Sequence, residues 1–281
     1  MILVFGKTGQ VGTELQRLDG VVTLGRNQAD LSNPMTCANA IFEHAPLAVI
    51  NAAAYTFVDK AEEEMGLAFA INGDAPTAMA QACSYLKIPF VHISTDYVFD
   101  GTGDTSWHTT DETVPENAYG RSKLAGEIGI RASGATYAIL RTSWVVSTSG
   151  TNFVKTMLRL SETKKVLNIV ADQIGGPTPA RDIAVACLKI ANQLREDPSK
   201  SGSYHYSGYP DVSWAEFATE IFNQAKRAVV VTPISTVDHP TRAIRPMNSR
   251  IDCGTTEQMF DIIRPDWREG LKTILKELEV I

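Results

Sequence analysis

The sequence predicts an α/β chain: a doubly wound parallel sheet, with a smaller, mostly C-terminal α/β lobe attached. Three observations predict it. Short apolar runs alternate with helical spacing through the first half of the chain. Glycines 6, 9 and 12 lie between the first apolar run and the first helical pattern. The second half shifts to turn-forming residues. Short buried strands alternating with helices imply a parallel sheet covered on both faces.

Taken in order, Ile2–Phe5 is the first strand, and Val11, Leu15 and Leu18 mark the helix after it. Val21–Leu24, Leu47–Ile50, Pro89–Ser94 and Tyr137–Leu140 are the next apolar runs. Ala68–Leu86 carries helical spacing between the third and fourth. Gly175–Pro179 and Gly202–Asp211 read as turns. Ser213–Ala225 reads as a helix with Ser213 and Glu216 at capping-box spacing. Pro233–Pro246 reads as a structured loop and Trp267–Leu278 as a closing helix. These elements place residues 1–146 in a dinucleotide-binding domain to which 167–198 returns. Residues 147–166 and 199–281 then form the substrate lobe.

A length of 281 residues, 44% of them hydrophobic, suits one large domain with a lobe. The formal net charge of −6 argues against a general nucleic-acid or membrane-surface binder. Cys37, Cys83, Cys187 and Cys253 form no metal or disulfide spacing, which suits a reduced, cytoplasmic setting. No apolar stretch approaches the roughly 20 residues of a membrane helix.

The turn "VFGKTGQVGTEL" places Gly6, Gly9 and Gly12 where a strand becomes a helix. There a backbone can approach a pyrophosphate whose charge the helix N-terminus favours. NAD sites usually carry an acid after the second strand. Here "TLGRN" offers Arg26 instead, a guanidinium able to pair with a 2′-phosphate. NADPH is therefore the expected cofactor, with NADH also compatible.

"NAYGRSKLAGE" puts Tyr119 and Lys123 four residues apart, on one helix face. An ammonium beside a phenol favours phenolate and makes its proton mobile, so Tyr119 is expected to act as general acid on a ketone. Lys123 has a second expected task on the nicotinamide ribose. "NAAAYT" and "ISTDYVFDG" follow the third and fourth strands and should converge with the glycine turn on one crevice. Ser94 or Thr95 supplies a hydroxyl for the reacting oxygen. Thr95 is favoured because Ser94 should face the other way at the strand end.

These segments, with "DLSNP", "NAAAYTFVDKAE", "RTSWV", "NFVKTMLRL", "DQIGGPT" and "RPMNSR", run essentially end to end. Together they resemble the extended short-chain dehydrogenase/reductase superfamily, and within it the dTDP-4-dehydrorhamnose reductase family. The resemblance implies a Rossmann-type sheet and a catalytic set of Thr95, Tyr119 and Lys123. It implies pyrophosphate contacts from Gly9, Gln10 and Val11, adenine-side contacts from Asp30 and Leu31, and cofactor contacts from Ala54, Tyr55 and Thr56. It implies sugar contacts from Asp96 and Trp144. Arg245, Asn248 and Arg250, with Arg242, are expected near a nucleotide diphosphate.

Some members hold magnesium with glutamates at a dimer contact. Glu14 and Glu277 match two such positions, but Arg181 stands at the third, and a guanidinium repels a hard cation. No metal is expected, and a homodimer is left open. The expected activity is reduction of dTDP-4-dehydro-L-rhamnose to dTDP-L-rhamnose. The alternatives are a reductase or epimerase on another nucleotide-activated sugar, and a non-catalytic NADP-binding regulatory subunit.

Overall fold

The computed structural model describes residues 1–281. Strand β1 (Ile2–Phe5) is wholly buried and leads into α1 (Gln10–Leu15). Then come β2 (Val21–Leu24), α2 (Pro34–His44) and β3 (Ala48–Asn51). The next crossover is segmented into α3 (Val58–Ala61), α4 (Met65–Phe69), a π-helical turn at Ala70–Asp74 and α5 (Ala75–Leu86). Strand β4 (Phe90–Thr95), α6 (Ala118–Ala132) and β5 (Tyr137–Thr142) follow.

The expected helix at 68–86 is thus interrupted. Pro76 has no N–H to give the Asn72 carbonyl four residues back, so the ladder widens there. The freed backbone is closely covered: a Cβ on Gly126 would lie 2.2 Å from the Asn72 oxygen.

After β5 come β6 (Val145–Val146), α7 (Phe153–Ser161), β7 (Val166–Val170), β8 (Ile174–Gly175) and β9 (Thr178–Pro179). Helix α8 (Ala180–Glu196) returns to the sheet, and β10 (Gly202–His205) joins it. The chain ends with β11 (Val212–Ser213), α9 (Trp214–Gln224), β12 (Val230–Ile234), β13 (Asn248–Ser249), α10 (Gly254–Phe260) and α11 (Trp267–Glu277).

The main sheet has the order β10-β5-β4-β3-β1-β2, every pair parallel. Strand order reverses beside β1, where such sheets open a ligand crevice beyond the strand C-termini. One face is packed by α2, α5 and α6 around Leu3, Phe5 and Phe90, the other by α1 and α8 around Val4, Ile50 and Ile183. A third core, with Phe217, Phe222, Trp267 and Leu271, holds the C-terminal lobe.

Two expectations need correction. Gly202–His205, read as turn and assigned to the lobe, is the sixth strand of the main sheet. Its apolar character is carried by Tyr204, whose ring packs at 4.7 Å from Phe260 and whose hydroxyl donates to the Lys200 carbonyl at 2.6 Å. Val230–Ile234 is a strand paired with β7, so the expected loop at Pro233 begins two residues later. Pro233 fits because β12 lies at the edge of a two-stranded sheet. The capping box of α9 forms as expected, with Glu216 N donating to Ser213 Oγ at 3.1 Å and Ser213 N to Glu216 Oε2 at 2.7 Å. No helix is long and apolar enough to cross a membrane.

Candidate active site

Helix α6 begins at the C-terminal edge of the sheet because its first turn is tied down there. Asn117 caps it, accepting from Gly120 N at 2.8 Å, and donates to the Ile244 carbonyl at 2.9 Å. Ala118 N donates to Glu62 at 2.7 Å. The ring of Tyr119 then stands edge-on to Tyr97, 5.6 Å between centroids. Thr95 closes β4; its hydroxyl donates to Asp96 Oδ1 at 3.1 Å and accepts from Tyr97 N at 3.2 Å. Ser94 faces α6 instead, donating to Glu127 at 2.6 Å.

Desolvation raises the Tyr119 pKa to about 12, with the Thr95 hydroxyl pulling it down and Asp96 adding to the rise. Lys123 is not the governing influence the sequence suggests. Its Nζ donates to the Ile93 carbonyl at 2.7 Å and lies 3.0 Å from His92 Nε2. The lysine is drawn to the sheet and not to the phenol, and burial lowers its pKa to about 7. The expected depression of the tyrosine is therefore absent from this arrangement of side chains. At neutral pH the phenol keeps its proton, which is the form an acid must have.

Asp96 is 3% exposed, and its Oδ2 has no hydrogen-bond partner. Burial lifts its pKa to about 6 against the ordinary 3.8, with Ser249 and Thr95 opposing. Between those values the folded chain holds a proton that the unfolded chain has released. Stability therefore falls as pH rises through that window, and the full cost stands above it. Two pKa units correspond to about 3 kcal/mol. Asp96→Asn is expected to stabilise the ligand-free chain by about 1–3 kcal/mol at pH 7 and by almost nothing at pH 4. Thermal unfolding at the two pH values checks this.

A parallel sheet with a glycine turn, a tyrosine and a lysine at one edge does not by itself single out one family. The profile of the RmlD substrate binding domain matches residues 1–280. The chain belongs to this family. A dTDP-4-dehydrorhamnose reductase of Sinorhizobium fredii is 43% identical, over 98% of this chain and 96% of its own. A solved dTDP-4-dehydrorhamnose reductase of Clostridium acetobutylicum superposes with a TM-score of 0.92 at 36% identity, covering 99% of both chains. One from Bacillus anthracis, in complex with NADP, gives a TM-score of 0.90 at 35% identity and covers 98% of both.

In this RmlD-family chain the glycine turn packs closely against its surroundings. Gly6 has φ +105°, and a Cβ there would lie 2.8 Å from the backbone of Ala52 and Ala53. A Cβ on Gly12 would lie 1.9 Å from the Gly6 oxygen. These two glycines let the turn close against β3, while Gly9 caps α1 in an extended, exposed conformation. Val11 is buried beneath the turn. The Gln10 side chain is engaged with the segment after β6, accepting from Ser147 Oγ and Asn152 Nδ2 at 2.9 Å each.

Arg26 is 76% exposed and pairs loosely with Asp30, 3.9 Å away. The Asp30 carboxylate accepts from Ser32 N at 2.9 Å, and Leu31 is buried. After β3, Ala54 is partly buried and Thr56 exposed. Tyr55 gives its hydroxyl to Glu64 at 2.7 Å and its N–H to Asn72 Oδ1 at 2.8 Å. Asn72 also donates to Ser122 Oγ on α6 at 2.9 Å. Sequence reasoning passed over Asn72. An asparagine in a helical run four residues before a proline is the signal that marks it.

Trp144 adopts φ +48° and stacks on Trp214 at 3.5 Å between centroids, 11° from parallel. The arginines expected near a diphosphate are largely spoken for. Arg245 pairs with Asp59 at 2.5 Å, and Arg242 pairs with Glu63. Asn248 is not free to bind a ligand through its amide. Its Nδ2 donates to the Thr102 and Thr105 carbonyls at 3.2 and 2.7 Å, and its Oδ1 accepts from Arg250 Nη1 at 3.0 Å. Asn248 therefore orients Arg250, the one of these three arginines with no carboxylate partner. At the far cleft, Arg17 bridges Glu14 at 3.2 Å and Glu277 at 3.1 Å, and Arg181 lies in the same cleft.

Proposed function

We propose that this chain reduces the C4 ketone of dTDP-4-dehydro-L-rhamnose to the alcohol of dTDP-L-rhamnose in the cytoplasm, using NADPH. The observation that supports this reading best is Tyr119 bearing on Thr95 and Asp96 at the same edge of the parallel sheet as the glycine turn, in a chain that matches the family end to end. The cofactor, when bound, supplies the hydride.

Thr95 holds the ketone oxygen, and Tyr119 gives that oxygen the proton that completes the alcohol. Asp96 offers its unpartnered Oδ2 as acceptor to a sugar hydroxyl. Trp144, clamped by Trp214, gives the sugar ring a rigid wall. Arg250 meets the diphosphate, with Arg245 and Arg242 exchanging carboxylate for phosphate. Exposed ion pairs are worth about 0–1 kcal/mol, so the Arg242–Glu63 exchange costs little. Residues 147–170, whose β7 pairs with β12, join the elements around Phe217 and Trp267 in the substrate lobe, while α10 returns Phe260 to the main-sheet core. The partner is a small molecule, with no nucleic acid or membrane involved.

An NADPH-oxidation assay with enzymatically prepared dTDP-4-dehydro-L-rhamnose tests the reading. Oxidation confined to a different nucleotide-4-ketosugar would move the assignment to that sugar. No oxidation with any of them, together with a co-purifying partner enzyme, would favour a regulatory subunit.

Arg26 tests the cofactor. A charged hydrogen bond to a 2′-phosphate is worth about 1.5–3 kcal/mol. Arg26→Asp is expected to lower the NADPH/NADH ratio of kcat/KM by about 10- to 100-fold. An unchanged ratio would remove Arg26 from the cofactor site.

A further inference from the structure

The reaction as described leaves His92 unused, although it is fully buried and touches Lys123. Four polar contacts run in series from β3 to β4. Ala53 N donates to Asn51 Oδ1 at 3.1 Å. Asn51 Nδ2 meets His92 Nδ1 at 3.1 Å. His92 Nε2 meets Lys123 Nζ at 3.0 Å, and Nζ donates to the Ile93 carbonyl at 2.7 Å.

Both ends of this series are backbone groups whose roles cannot change. A backbone N–H only donates, so the Asn51 atom facing Ala53 is oxygen and the atom facing His92 is the amide nitrogen. That nitrogen donates, so His92 Nδ1 accepts. In a neutral imidazole the hydrogen then sits on Nε2 and points at Lys123. An ammonium has no lone pair to receive it; a neutral amine has one.

We propose that His92 is a positioning residue that stores Lys123 as a neutral amine in the ligand-free chain, and that cofactor binding is accompanied by uptake of one proton at Lys123. The second half rests on the reading of Lys123 as a cofactor contact; the first half does not.

The surrounding charges agree. On α6, Glu127 is the nearest carboxylate to favour an ammonium, but it already faces the Arg141 and Arg131 guanidiniums at 2.7 and 2.5 Å. On the segments packed against α6, Asp59 pairs with Arg245, Lys60 with Glu64, and Glu62 with Arg121 and the Ala118 N–H. Asp74 is exposed. Asp96, beyond the end of β4, bears on Tyr119, and its own burial favours its neutral form. His92 itself is held well below its ordinary pKa, chiefly by burial, which keeps the imidazole neutral. Once charged, the lysine has no acceptor in His92 and is released toward the ribose and Tyr119. The cation expected beside the phenol then arrives with the cofactor.

The test has two readouts on the wild-type chain. Long-range ¹H–¹⁵N correlation spectra of the ¹⁵N-histidine-labelled, ligand-free protein should show His92 as the Nε2–H tautomer. Calorimetric titration with NADPH at pH 8.5, in buffers of different ionisation enthalpy, should show uptake of about one proton, falling toward zero near pH 6. At pH 8.5 neither Asp96 nor a phosphate takes up a proton. The Lys123→Met variant should lose the uptake while still binding measurably. An Nδ1–H tautomer or an imidazolium, uptake below about 0.2 proton at pH 8.5, or uptake that persists in Lys123→Met would overturn the proposal. If NADPH does not bind at all, the cofactor reading fails, and the tautomer alone decides whether the amine is stored neutral.

Discussion

Tyr119→Phe is expected to lower kcat by about 10²–10⁴, the usual contribution of a positioned acid, and to leave NADPH affinity within about twofold. The substitution removes one oxygen and keeps the ring, so the edge contact with Tyr97 survives. Cofactor contacts made by the glycine turn lie on other elements and are untouched. KM for the ketosugar should change little, because the proton is delivered only as the hydride arrives. Stopped-flow reduction and equilibrium binding separate the two effects.

The pH dependence sharpens the prediction. Before the cofactor binds the phenol pKa is near 12, and the ammonium delivered with NADPH lowers it, so reduction should keep its acid at neutral pH and weaken only as pH rises toward the lowered value. Oxidation of the alcohol needs the phenolate and should rise with pH toward the same value. A variant that retains near-normal kcat would remove Tyr119 as the acid.

The sheet was legible where strands are short, apolar and followed by glycine or a helical pattern. Ile2–Phe5, wholly apolar, and Val21–Leu24, apolar but for the β-branched Thr23, coincide with their expected bounds. Gly202–His205 was not legible. Its burial comes from tyrosine and histidine, whose polar ends find partners in the Lys200 and Trp107 carbonyls. Thr95 and Tyr119 were legible because each ends or begins an element at the crevice. What the sequence could not carry was competition. Spacing placed Lys123 on the face of Tyr119, but not the carbonyl and imidazole that draw its amine to the sheet. Likewise, "RPMNSR" announced cations without announcing Asp59 and Glu63, which come from about 180 residues earlier and already pair with Arg245 and Arg242.

Glu127→Gln is expected to cost roughly 3–5 kcal/mol of stability, a fall in Tm on the order of 10 °C, although Glu127 touches neither ligand site. The residue closes "NAYGRSKLAGE", where spacing alone gave it no role. In the fold it is fully buried and accepts from Ser94 at 2.6 Å and from Arg141 at 2.7 and 3.0 Å, while Arg131 reaches it at 2.5 Å. Burial pushes its pKa up, but the Arg141 hydrogen bonds and charge, with Ser94 and Arg131, hold it below the ordinary value. An amide keeps the shape and removes the charge, leaving the Arg141 guanidinium buried over the Phe99 ring with no carboxylate. A carboxyl whose folded pKa is depressed contributes stability above its unfolded pKa and loses it as pH falls through the folded one. The gap between wild type and Glu127→Gln should therefore be widest at neutral pH and narrow as acid carries the pH below the ordinary glutamate value and through the lower folded one. Replacing both partners, as in Glu127→Leu with Arg141→Met, should recover part of the loss, because no unpaired charge then remains buried. Equal losses for the single and double variants would assign the effect to packing and not to charge. The same variants bear on the active site. Glu127 lies one helical turn from Lys123, so a shift of α6 off β4 should lower kcat even where the chain stays folded.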